Sequence, residues 1–163
     1  MKKIFLFALL SATISVSPGQ INCNIKRAYA FYSSSLPGAQ MVDENGNPVP
    51  PKPIINRFIY VESSGTTMPD IKTVLYGNMQ LVFSLVKIKD KTVSVGNGYD
   101  KNKDVIIAAK KGNTLWKIDL QPMAEKAIPE TNCKSIIIKS RIANKFCRFY
   151  LQKETEILSL PSY

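Results

Sequence analysis

Apolar residues recur at every second position over 104–120, and this alternation is the sharpest structural signal in the chain. A two-residue turn at Gly112-Asn113 would pair Lys111 with Thr114. Counting outward, Ala109 then meets Trp116, Ile107 meets Ile118 and Val105 meets Leu120. All six are apolar and share one side, and a one-residue slip would put them in water, so the spacing predicts a core β-hairpin. Trp116 is then a packing residue whose indole N–H needs an acceptor.

The same reading extends in both directions. A turn at Asp90-Lys91 sets Ile88 against Val93 and Val86 against Val95, a second expected hairpin. Gly77-Asn78 separates apolar runs at 71–76 and 79–88, a third. Ile71, Val74, Leu75, Met79 and Val82 also fall at helical spacing, but Thr73, Val74 and Tyr76 favour a strand. In 54–61 Ile59 and Val61 alternate with Phe58 and Tyr60, so both faces are apolar and the strand is expected to be central. Residues 24–32 alternate weakly and read as a short strand, and 134–142 with 145–151 as a last hairpin about Ala143-Asn144. Its simplest register sets Lys139 against Arg148, a like-charge pair that works against stability.

Two segments break the pattern. Residues 33–53 hold five of the ten prolines (Pro37, Pro48, Pro50, Pro51 and Pro53), which excludes helix or a central strand. That stretch is expected to be a long loop or extended arm with a tight turn at Asn45-Gly46. Residues 122–128 could form a helical turn before Pro129. The expected class is all-β: a small antiparallel β-sandwich of seven to nine short strands, or a partly closed β-barrel.

The first nineteen residues stand apart from this domain. Lys2 and Lys3 precede an apolar run over 4–16, then Ser17-Pro18-Gly19, with Gln20 opening the mature chain. This is the pattern of a cleaved signal peptide. It is too short to anchor a chain across ~30 Å of hydrocarbon. Export to the periplasm or the extracellular space is therefore expected, with residues 20–163 as one soluble β-rich domain and no transmembrane segment.

Export changes how the cysteines read. Cys23, Cys133 and Cys147 would meet an oxidising compartment, and an odd count leaves one thiol over. Cys133–Cys147 would enclose a short loop. Cys23 would then be free or joined to a second chain, or would carry a lipid, which the preceding Gln20-Ile21-Asn22 disfavours. In the simple register of the last hairpin, Cys133 and Cys147 do not oppose each other.

The sequence has no histidine, which removes the usual base of Ser-His-Asp and Cys-His relays and the commonest zinc ligand. Asp100, Asn102 and Asp104 match the opening of a calcium loop, but Val105 stands where such loops need Gly and Lys111 where they need an acid. The acidic residues sit in no motif that nominates a catalytic pair. No catalytic residue, metal or cofactor is expected, which leans away from an enzyme. The formal net charge is +10, and from position 87 onward Lys and Arg outnumber Asp and Glu by seven.

The candidate partner-binding set is Lys87, Lys89, Lys91, Lys101, Lys103, Lys110 and Lys111, gathered at strand ends and turns. The alternative role for such lysines is protection of sheet edges. The leading functional expectation is an exported, non-enzymatic binding or accessory domain that engages another envelope or extracellular macromolecule, protein or anionic glycan. Nucleic acid is not expected. Two alternatives stand beside it: a glycan-binding module using the basic surface and exposed Tyr29, Tyr32, Tyr60 or Tyr99, and a small carboxylate-dependent hydrolase.

Overall fold

The structure, a computed structural model, describes residues 24–36, 41–50, 53–98, 104–121 and 135–158. The signal-like start, Cys23, Tyr99, Asp100, Lys101, Asn102, Lys103, the segment 122–128 and Cys133 lie outside them. In chain order the strands are β1 (Ile25–Ser35), β2 (Met41–Val42), β3 (Pro48–Val49), β4 (Ile54–Ser64), β5 (Asp70–Tyr76) and β6 (Met79–Lys87). They continue with β7 (Thr92–Asn97), β8 (Asp104–Ala108), β9 (Asn113–Gln121), β10 (Ile136–Ile142), β11 (Lys145–Leu151) and β12 (Glu154–Leu158). The class is all-β, as the alternation predicts. Among the described residues no helix is long and apolar enough to cross a membrane.

Eight strands form one sheet in the order β11-β10-β5-β6-β9-β4-β1-β12. Its two edge strands, β11 and β12, are joined by Gln152 and Lys153 alone. Laid flat, eight strands would put the edges ~34 Å apart. Two linking residues span at most ~11 Å between Leu151 and Glu154. The sheet must therefore curl until its edges come near each other, and β11 approaches β1. Pairing is antiparallel throughout except for β1 and β12, which run parallel with Ala30 level with Glu154.

The concave face of the curl holds the main core: Ile59, Val61, Val74, Trp116, Ile118 and Ile138, among others. Trp116 finds its acceptor in Ser63 Oγ at 2.9 Å. A second layer, the ribbon β7–β8, lies against the convex face, where Ile107, Val93, Val95 and Val105 pack on Phe31, Phe58, Tyr60 and Leu115. This explains why β4 is apolar on both faces: Ile59 and Val61 look inward, while Phe58 and Tyr60 look out beneath the ribbon. The fold thus combines a half-barrel with a sandwich-like second layer.

Two expected hairpins form as read. β5 and β6 pair about Gly77-Asn78, with Gly77 at φ 60° where a side chain would be strained. β10 and β11 pair about Ala143-Asn144 and do set Lys139 against Arg148. The other two do not form. β9 pairs with β4 and β6 on its two edges, and β8 pairs with β7. The reason is that Gly112-Asn113 turns a corner between layers. Lys110 C=O accepts the Asn113 N–H at 3.0 Å, but both edges of β9 are already taken, so the six alternating residues divide between the two cores. Likewise Asp90-Lys91 carries the chain from the sheet to the ribbon, and β6 and β7 do not pair.

Within 33–53, β2 and β3 form a small ribbon closed by Asp43, which accepts the N–H groups of Asn45 and Asn47 on Oδ1, with Gly46 at φ 82°. Ile59 is completely buried against both neighbouring strands, so Ile59→Ala is expected to lower stability by about 3–4 kcal/mol. Val82→Ala, on the uncovered convex face of β6 at 46% exposure, should change it by less than about 0.5 kcal/mol. Urea denaturation of the two variants checks the difference.

Candidate functional site

The connections β4–β5, β6–β7, β8–β9 and β10–β11 all emerge at one end of the curled sheet, because strand directions alternate along the order. Two of them are fastened together: Ala109 N–H donates to Lys91 C=O at 2.8 Å, and Ile88 N–H donates to Leu115 C=O at 3.0 Å. Lys89, Lys91, Lys110 and Lys111 are thereby brought side by side, all exposed. Lys87 is exposed just below them with its ammonium 5.8 Å from the Trp116 ring centre. Lys101 and Lys103 lie outside the described residues. Five of the seven nominated lysines therefore share one end.

The acidic residues here do little to offset them. Asp90 is exposed within the same turn. Glu62, buried at the end of β4, is fully engaged: Arg27 Nε and Asn113 Nδ2 donate to it, and so does the Lys110 backbone N–H at 2.9 Å. Burial pushes the Glu62 carboxyl up, but the hydrogen bonds from Arg27, Asn113 and Lys110 outweigh it and hold the group below the ordinary carboxylate range. Arg27 also donates to Ala108 C=O at 2.8 Å. Glu62 and Arg27 together clip the β8–β9 corner onto β1 and β4, and so hold the lysine-bearing turns in place.

Sequence reasoning missed a polar knot inside the curl. Arg57 on β4, Tyr76 on β5 and Glu154 on β12 meet there, all buried. Tyr76 OH donates to Glu154 Oε2 at 2.6 Å, Arg57 Nε stands 3.5 Å from Glu154 Oε1, and the Arg57 guanidinium lies 4.9 Å from the Tyr76 ring centre. Burial pushes the Glu154 carboxyl up, opposed by Tyr76 and Arg57. Next along β12, Glu156 accepts from Tyr32 OH at 3.1 Å. The signal was present: Arg57 has the same parity as Ile59 and Val61, so it had to point inward. Chemically the arrangement ties three strands across the bore, with both carboxylates occupied by phenols.

The third arrangement lies on the convex face of β10–β11. Phe146 and Tyr150, 62% and 57% exposed, flank Arg148 on β11, with Lys139 directly across on β10. Among the described residues, the tyrosines that a glycan-binding module would expose are at least partly covered. Tyr60 is buried, packed edge-on against Phe31 and Phe58, because the β7–β8 ribbon covers it. Tyr29 and Tyr32 are half-buried, and Tyr99 lies outside the described residues. Asp104 opens β8 opposite Asn97, and among the described residues no three metal-ligating side chains cluster.

Cys147 is buried on β11, disulfide-bonded, with Sγ 2.9 Å from Ser140 Oγ. Both other cysteines lie outside the described residues.

Because the folded pKa of Glu62 is depressed, its contribution to stability is present at neutral pH and is lost as pH falls through that depressed value. Glu62→Gln is expected to lower stability by about 1–2 kcal/mol at pH 7. The gap to wild type should close as pH drops below the carboxylate range, read by urea titrations at pH 7 and pH 3. No protein family model, curated protein or solved structure matches this chain.

Proposed function

We propose that this protein is an exported binding module that holds an anionic macromolecule at the lysine-bearing end of its curled sheet. The observation that carries this reading is the backbone bond from Ala109 to Lys91, which sets two otherwise unrelated turns beside each other and concentrates Lys89, Lys91, Lys110 and Lys111. Separately, each pair would be an ordinary solvated turn. Together, with Glu62 turned inward to Arg27, they set four lysines against the exposed carboxylate of Asp90, and this excess of positive charge raises the local concentration of an anionic partner and speeds its arrival. The signal-like residues 1–19 and the disulfide at Cys147 both support an oxidising, exported setting. Burial of Trp116 and Tyr60 in the cores leaves the ends and outer faces of the sheet as the surfaces for recognition.

Chromatography tests the reading. Wild-type protein is expected to stay on immobilised heparin to a higher salt concentration than on a sulfonate exchanger. The quadruple variant K89Q/K91Q/K110Q/K111Q should elute from heparin clearly earlier. Elution of wild type from both columns at the same salt, or a variant that elutes unchanged, overturns the proposal.

A further inference from the structure

The convex face of β10–β11 carries two liabilities in one place. Directly opposed like charges weaken a strand pair, yet Lys139 stands level with Arg148. Neither has a carboxylate within ion-pair distance among the described residues, since the nearby Asp70 is taken by Lys72 and Arg141. Exposed aromatic rings on an edge strand invite aggregation, yet Phe146 and Tyr150 stand exposed on β11, the last strand of the sheet.

We infer that this face is the seat of an acidic polysaccharide, with Phe146 and Tyr150 stacking on sugar faces and Arg148 with Lys139 holding the anionic groups between them. This rests on the binding-module reading and names its ligand class. Phe146, Arg148 and Tyr150 alternate on one side of a strand, so ring, guanidinium and ring stand ~6.6 Å apart. An acidic polysaccharide presents that alternation of flat apolar faces and anions. An acidic peptide lacks the flat faces. A bilayer would have to draw the Arg148–Lys139 row in with the two rings. The face begins beside the lysine-bearing end, since Phe146 is the second residue of β11 and Arg141 lies opposite it. The Phe146 end of this face and Lys89, Lys91, Lys110 and Lys111 lie at the same end of the sheet, with β10 and β5 between β11 and β6.

Fluorescence anisotropy with a size-defined heparin oligosaccharide tests this. F146A/Y150A, whose rings are exposed and whose folding circular dichroism verifies, should bind about tenfold more weakly with the salt dependence unchanged. Tyr150→Phe should bind like wild type, and K139Q/R148Q should lose both affinity and salt dependence. Wild-type affinity in F146A/Y150A overturns the inference and leaves the lysine-end reading standing. Unchanged affinity and salt slope in K89Q/K91Q/K110Q/K111Q overturns that reading instead. Binding of wild type to phosphatidylglycerol vesicles, lost in F146A/Y150A with oligosaccharide binding intact, assigns the face to a membrane and overturns the inference. A wild-type dimer that F146A/Y150A dissolves assigns it to a second copy and does the same.

Discussion

Gln152 and Lys153 are the constraint from which the architecture follows. They carry the chain from one edge of an eight-stranded sheet to the other, and so short a link forbids a flat sheet. Curling creates an enclosed concave side, where Ile59, Val74, Ile118 and Ile138 are completely buried. It also brings Glu154 to Arg57 and Tyr76, three residues drawn from strands that do not neighbour one another in the sheet. A buried carboxylate and guanidinium are tolerated there because each meets the other and the Tyr76 hydroxyl or ring. The convex side left by the curl is too apolar at Phe31, Phe58 and Tyr60 to face water, and the β7–β8 ribbon covers it.

Covering that surface dictates where charge can collect. The ribbon enters and leaves through the corners at 88–91 and 109–112, at the same end of the sheet, and Ala109 bonds across to Lys91. Glycine and polar residues suit both corners, and lysines are well tolerated at such exposed positions. The positive end is therefore a by-product of the layering that Glu62 and Arg27 stabilise from beneath. The β10–β11 face differs, because nothing in the layering requires Lys139 to meet Arg148 or leaves Phe146 uncovered.

Strand identity was legible wherever period-two alternation met a turn, as at Gly77-Asn78 and Ala143-Asn144. Partnership was less so. Gly112-Asn113 has the same chemistry whether the chain doubles back in one sheet or steps to another layer, and local pairing arithmetic cannot tell these apart. What separates them is non-local: Ile118 lies between Ile59 and Leu85, so β9 has no free edge to offer β8. The apolar outer face at Leu115 hinted at a covering layer. Most of the lysine cluster was readable from turn positions, though the bond that gathers it was not. Of the rings a glycan-binding module would expose, Tyr29 and Tyr60 pack under the ribbon and Tyr32 turns into the curl toward Glu156, placements that no local pattern encodes.

The parallel pairing of β1 with β12 has a consequence for how the molecule is built. Ala30 waits for Glu154, 124 positions later, before its strand gains a second neighbour. Among the described residues every other ladder joins segments nearer in sequence, so the wall between β1 and β12 is the final piece of this sheet a growing chain can complete. Until then Arg57 and Tyr76 lack Glu154. Closure of the seam and burial of the Arg57–Glu154 pair are one event, and the curled sheet is complete only when β12 emerges.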